Sequence, residues 1–308
     1  MNRFRPNMQV SSSLSINQTK NMQGLYVHWD ASNKDSLIFS DGTVGTDTNG
    51  VITGSVVQWD NLVDQNQRVK GTKHGIPNIF THVASEMPTY SASVAQCNNM
   101  PALYFDNDGD ILLHQQSEMV RGDASNNETP LRYSRWNHRH KNYGETTFFI
   151  VAYVISGGDT QARLFEESVD GFYFSPNWGA GTSRTRGPGG EYGDIFSLTQ
   201  DEFALFDFKA TVVDTSVPNA DIILRRNDVS VSSETNSSIN DWPPTYQSFY
   251  PAYFSIGAET NINSTGTGAR TNKSFYGFLC EFMMFDRTLS DNEMAAMRNY
   301  LNTKWGIY

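Results

Sequence analysis

From residue 24 to residue 288 the chain is a succession of short β-type runs, each cut off by turn-forming residues, with almost no helical period between them. That pattern limits the fold more than any other feature. Leu25-Tyr26-Val27-His28-Trp29 stops at Asp30-Ala31-Ser32-Asn33, and Ser55-Val56-Val57-Gln58-Trp59 stops at Asp60-Asn61. Ala102-Leu103-Tyr104-Phe105 runs into Asp106-Asn107-Asp108-Gly109-Asp110 before Ile111-Leu112-Leu113 resumes. Asp, Asn and Gly tolerate the left-handed positions of tight turns, so this stretch predicts a hairpin. Residues 146–155 are apolar at both alternating sets of positions, which predicts a central strand covered on both faces. Further strands are expected over 171–175, 204–213, 220–225, 253–257 and 275–285, whereas the Gly-rich 179–193 reads as one long loop. Strands separated by turns rather than by helices predict an all-β fold, a single antiparallel β-sandwich.

One helix interrupts the pattern. Ser290 and Glu293 have the spacing of a capping box, and Met294, Met297 and Leu301 then fall on one helical face. A short C-terminal α-helix is expected over 291–304, its Met stripe packed on the sandwich. Residues 1–23, rich in Asn, Gln, Ser and Met, read as an extended arm. The arm precedes one domain over 24–308, and its scattered apolar residues suit docking on another subunit.

Composition excludes some partners. With a net charge of −10 the chain lacks the basic footprint that displaces phosphate counterions, so no nucleic-acid binding is expected. The same charge opposes docking on an anionic membrane. No run approaches the ~18 apolar residues of a membrane helix, so no insertion is expected. Arg3 and Arg5 are not followed by an apolar stretch, which is not the pattern of a standard signal peptide. Of the two cysteines, Cys280 lies in an apolar strand pattern and reads as a buried free thiol.

Several stretches resemble the concanavalin A-like (laminin-G-like) jelly-roll family, whose members occur in bacterial surface proteins, phage particles and large DNA viruses. Leu25 to Ser32 looks like the family's opening strand. Val57-Gln58-Trp59-Asp60-Asn61 and Pro101-Ala102-Leu103-Tyr104-Phe105-Asp106 are similar to its next elements. Ser255-Ile256-Gly257-Ala258, then Glu281 to Ser290 with its Asp286-Arg287-Thr288-Leu289-Ser290 turn, resemble the family's C-terminal strands and helix entry. Tyr300-Leu301 and Lys304-Trp305-Gly306-Ile307 complete the likeness, which implies a fold far more than a function.

The residues that could carry chemistry are scattered. Some members of this fold class hydrolyse β-glucans with paired carboxylates on one strand. Glu166-Glu167 with Asp170, and Glu191 with Asp194, lack that spacing and read as solvated loop carboxylates, so no enzyme is expected. Asp106, Asp108 and Asp110 begin like a calcium loop, but Ile111 stands where glycine is needed, leaving calcium a weak candidate and no other cofactor. Arg132, Arg135, His138, Arg139 and His140 form a basic stretch suited to an acidic partner, and the His-x-His pair has no third zinc ligand nearby. Trp178, Tyr192, Trp242 and Tyr246 have planar polar neighbours, as a sugar-binding face requires.

Two functions fit. The first is a non-enzymatic structural or interaction subunit of a large assembly, a virus or phage particle, made in the host cytoplasm and resident in the virion. The alternative is a carbohydrate-binding adhesin that attaches to surface glycans, outside the cell or at its surface.

Overall fold

The computed structural model describes residues 22–42, 44–63, 78–81, 84–115, 146–167, 172–179, 182–187, 190–197, 200–214, 219–238, 253–260, 269–285 and 287–308. The first strands are β1 (Leu25–Asp30), β2 (Leu37–Phe39), β3 (Gly45–Thr46), β4 (Ile52–Asp60), β5 (Asn78–Phe80), β6 (Thr89–Val94) and β7 (Met100–Asp106). There follow β8 (Leu112–Gln115), β9 (Thr146–Val154), β10 (Phe165–Glu167), β11 (Phe172–Gly179), β12 (Thr182–Gly187), β13 (Gly190–Ser197) and β14 (Glu202–Asp214). The last are β15 (Asn219–Arg226), β16 (Val229–Ser238), β17 (Tyr253–Ile256), β18 (Ala258–Thr260), β19 (Ala269–Ser274) and β20 (Tyr276–Phe285). Helix α1 (Asp291–Trp305) follows β20.

Eighteen of these strands build two antiparallel sheets that share β4, and β18 and β19 pair as a separate two-stranded ladder. In the first, β16, β15, β14, β9 and β20 lie side by side. Beyond β20 the sheet forks: Tyr276 to Leu279 pair with β7, and Glu281 to Phe285 pair with β1. The β7 branch continues through β6 and β4 to β3. The second sheet runs β13, β12, β11, β10, β17, β8, β5, β4 and β2. Strand β4 therefore belongs to both, pairing with β6 through Thr53 to Ser55 and with β5 through Gln58 to Asp60.

Two cores result, and β9 serves both. Successive strand side chains point to opposite faces. Phe148, Ile150, Ala152 and Val154 enter the core between the sheets, against Phe165, Phe174 and Ile256 of the second sheet. Phe149 and Val151 enter the core under α1, with Met294, Met297, Leu301 and Trp305. A strand with apolar residues on both faces is what a layer covered on both sides requires.

Helix α1 is closed at both ends. The Glu293 amide donates to Ser290 Oγ at 3.4 Å and the Ser290 amide donates to Glu293 Oε2 at 2.8 Å. At the other end Gly306 adopts φ 62° and its amide donates to the Asn302 carbonyl at 2.7 Å, which suits a residue without Cβ. The helix runs one residue beyond the expected 291–304. Two expectations are corrected. The hairpin expected over 102–113 does not form: β7 pairs with β6 and β20 in the first sheet and β8 with β17 and β5 in the second, so the Asp106–Asp110 turn carries the chain from one sheet to the other. The Gly, Thr and Arg run over 179–193 folds as strands β12 and β13 rather than as one loop. Its polar composition hides the strands because their partners, not an apolar stripe, hold them in the sheet.

Candidate functional site

Each sheet has one face in the central core, and α1 covers the other face of the first sheet. On the outer face of the second sheet, register places rows of polar residue types, of which Glu166, Ser175 and Ser255 are buried. Phe165 shares a row with Ile256 and Phe174, all three in the core. One step along, Glu166 pairs with Ser255 on β17 and with Tyr173 on β11, so this row belongs to the opposite face. By register it continues through Arg186 on β12 to Glu191 on β13. A neighbouring row joins Ser175, Arg184 and Asp194.

A buried ionic cluster underlies this face. Arg163, Glu166 and Glu259 are each at most 1% exposed. The Arg163 Nη1 donates to the Gln161 carbonyl at 3.0 Å, while Nη2 lies 3.3 Å from Glu259 Oε2 and Nε lies 3.9 Å from Glu166 Oε1. Lys273 Nζ reaches the same Glu259 oxygen at 2.6 Å. Ser255 Oγ, also buried, donates to the Ala258 carbonyl at 2.9 Å. Buried charges persist only when paired, and here two cations meet two carboxylates. Glu166 is thus a buried strand residue, not the solvated loop carboxylate expected. Glu191 and Asp194 likewise lie in a strand.

The sequence-expected sugar residues are dispersed. Trp178 lies in β11, in the stretch where the β11–β12 register shifts between Ser175 and Gly179. Tyr192 pairs with Thr185, and Thr185 pairs with the core residue Phe174, one step out of the polar row. Trp242, Tyr246, Arg132, Arg135, His138, Arg139 and His140 lie outside the described residues. What sequence reasoning missed is Arg163, Ser255, Glu259 and Lys273. One signal was present: Glu166 directly follows the apolar pair Leu164-Phe165, where alternation demands the other face.

Asp106, Asp108 and Asp110 form a turn that closes on itself. The Asp106 amide donates to Asp110 Oδ2 at 3.0 Å and the Asp108 amide donates to Asp106 Oδ1 at 2.9 Å. Asp106 and Asp108 are exposed while Asp110 is buried. Burial, and then the neighbouring Asp106 carboxylate, push the Asp110 carboxyl up to about 7.

A second buried cluster sits where α1 ends on the first sheet. The β1 alternation puts Val27 and Trp29 in the central core and His28 and Asp30 on the helix side. A β-bulge between Leu279 and Glu281 adds Glu281 to that side. His28, Asp30 and Glu281 offer ligand atoms within 4.8 Å of one another, the geometry of a candidate metal centre. Lys304 takes that place: its Nζ lies 2.7 Å from Asp30 Oδ2 and 2.8 Å from Glu281 Oε2. A divalent cation would meet the ammonium, so the donor set fits a lysine rather than a metal. Burial alone would raise the Glu281 carboxyl, but Lys304 and the His28 hydrogen bond outweigh it and hold it at about 2.

No family model matches the chain, and no curated protein matches it. Among solved structures, a Trypanosoma rangeli sialidase in complex with 2,3-difluoro-KDN matches at TM-score 0.42 and 12% identity, over 91% of this chain and 33% of that one. The CBM40 of a Ruminococcus gnavus IT-sialidase, bound to α2,6-sialyllactose, matches at TM-score 0.39 and 13% identity, over 64% of this chain and 96% of that one. A structure of botulinum neurotoxin type C, whose cell entry depends on two ganglioside molecules, matches at TM-score 0.42 and 8% identity, over 93% of this chain and 53% of that one. The chain thus spans about a third of the sialidases it matches. Scores at this level carry no argument about what this chain binds.

Proposed function

We propose that this chain is a non-catalytic glycan-binding module that takes a hydroxyl-rich ligand on the outer face of its second sheet. The observation that supports this is the row Ser255, Glu166, Tyr173, Arg186 and Glu191, continuous in register across five strands. Sugar hydroxyls donate and accept hydrogen bonds in a repeating, nearly planar array. Guanidinium and carboxylate groups present planar forks that match such pairs, and tyrosine adds an aromatic surface for the sugar's C–H face. The buried Arg163–Glu166–Glu259–Lys273 cluster serves as the rigid floor at one end of the row. On this proposal the ligand lies along the strands beyond it, where register places Tyr173, Arg184, Arg186, Glu191 and Asp194 on the same face.

The same cluster supports a non-catalytic role. Glycoside hydrolysis needs one carboxyl protonated and poised as an acid while its partner stays ionised. Glu166 and Glu259 are instead both buried against Arg163, with neither carboxyl exposed to a substrate. On this reading the module works outside the cell or at a particle surface, where glycans are met. No helix among the described residues is long and apolar enough to cross a membrane. The assembly-subunit reading drew on the 1–23 arm, the lone domain and the absence of a standard signal peptide pattern, and nearly all of the arm lies outside the described residues.

The test is an array of neutral and acidic oligosaccharides, followed by titration of the best binder against Arg186→Ala and Tyr173→Ala. Both variants should fold normally and lose at least tenfold in affinity. No binding above background across the array, or undiminished binding by both variants, overturns the proposal.

A further inference from the structure

We propose that Cys97 and Cys280 form an intramolecular disulfide when the chain folds in an oxidising compartment, and are sealed as a dithiol when it folds in a reducing one. The sequence holds two cysteines, far apart along the chain, and the fold brings them together. Cys97 ends a short 3-10 turn after β6, and Cys280 lies in β20 at the bulge beside Glu281. Both are fully buried in the core between the first sheet and α1. The Cys97 side chain lies within interaction range of the Cys280 thiol in the same core cluster.

Helix α1 roofs the pair. Met297, Leu301 and Trp305 share its core, and the Asn98 side-chain amide, next to Cys97, donates to the Trp305 carbonyl at 3.1 Å. Burial also pushes the Cys280 thiol well above its ordinary range. Disulfide exchange needs an accessible thiolate, and both sulfurs are buried in the folded chain. The redox choice therefore belongs to the interval before α1 docks, and α1 follows both cysteines in the chain.

The oxidant is a low-molecular-weight disulfide. One cysteine thiolate attacks a sulfur of that disulfide, breaks its S–S bond, releases one small thiol and forms a mixed disulfide. The second cysteine, as its thiolate, attacks the protein sulfur of the mixed disulfide. The Cys97–Cys280 bond forms and the second small thiol leaves. Two protein thiols are oxidised, one small disulfide is reduced, and the protons lost by the cysteines end on the released thiols.

The experiment uses the full chain, unfolded and reduced, then refolded with oxidised glutathione in excess. Free thiols are blocked with an alkylating agent under denaturing conditions, and peptides are mapped without reduction. The expected product is a cross-linked pair of peptides holding Cys97 and Cys280, lighter by two hydrogens than the two reduced peptides, with no alkylated cysteine. In parallel, chain already folded in reductant and then given oxidised glutathione should keep both cysteines alkylatable. The bridged form should melt above a Cys97→Ser, Cys280→Ser double variant. Should refolding fail, chain secreted to an oxidising bacterial periplasm supplies folded material for the same map. Two alkylatable cysteines after oxidative folding, or a bridge formed as fast in the folded as in the unfolded chain, overturns the proposal.

Discussion

Trp305, the last residue of α1, donates its indole N–H to Glu281 Oε2 at 2.6 Å, tying the end of the helix to a bulged position of the central strand β20. The bulge makes this possible. Leu279 faces Ala152 and Glu281 faces Val151, so Cys280 is the extra residue and both it and Glu281 lie on the helix side. Without it, alternation would turn the carboxylate into the apolar core between the sheets. His28, Lys304 and Trp305 converge on the carboxylate that results.

Glu281→Gln leaves the Lys304 ammonium buried with one carboxylate instead of two. Breaking a buried pair by removing one partner costs ~3–5 kcal/mol, and a loss at the lower end of that range is expected in urea denaturation. A double-mutant cycle with Lys304→Met should show that the two residues are coupled, the double variant losing less than the sum of the singles. Additive losses would mean that the cluster does not act as a unit.

The dependence of stability on pH should show two windows of opposite sign. Glu281 and Glu293 are both held at about 2, against an ordinary 4.5. Their contribution is therefore present above about 4.5 and is lost as pH falls through about 2. Asp110 is raised from 3.8 to about 7. Its contribution is complete below about 4 and is lost as pH climbs through about 7. Thermal melts across this range should show Asp110→Asn flattening the upper window and leaving the lower one intact, with Glu281→Gln doing the reverse. A variant profile parallel to the parent in its own window would contradict the assignment.

Truncation after Leu289 removes the roof of the second core. Met294, Met297, Leu301 and Trp305 are at most 1% exposed. Each contributes ~1.5–3 kcal/mol by burial, and Phe149, Val151, Met283 and Phe285 would lose their cover. The shortened chain should be insoluble or melt far below the parent. An unchanged melting temperature would show that the helix is not part of this core.

The elements legible in the sequence were those whose signals are local. β9 declared itself through ten adjacent residues, and α1 through the Ser290–Glu293 spacing and a Met face. The floor of the candidate site was not legible, because it depends on distant partners. Glu166 reads as a surface carboxylate until Glu259 and Lys273 are placed beside Arg163, and that juxtaposition exists only once β10, β17 and β18 have assembled. Strands β12 and β13 were hidden for a related reason: Thr182, Arg184 and Arg186 carry no apolar alternation. The Glu281 bulge leaves no trace in composition, since one extra residue in an apolar run looks like more of the run.

The membership of β4 in both sheets has a mechanical meaning. At that edge the two layers are joined by backbone, like boards on one spine, and they cannot slide apart without straining the covalent chain. Breathing is therefore expected to begin at the opposite edge, where β13 of the second sheet adjoins β16 of the first and no ladder joins them among the described residues. β13 is also the strand that carries Glu191 and Asp194. A ligand lying across β11, β12 and β13 would bind the loose margin of the book, so that occupancy and resistance to unzipping rise together.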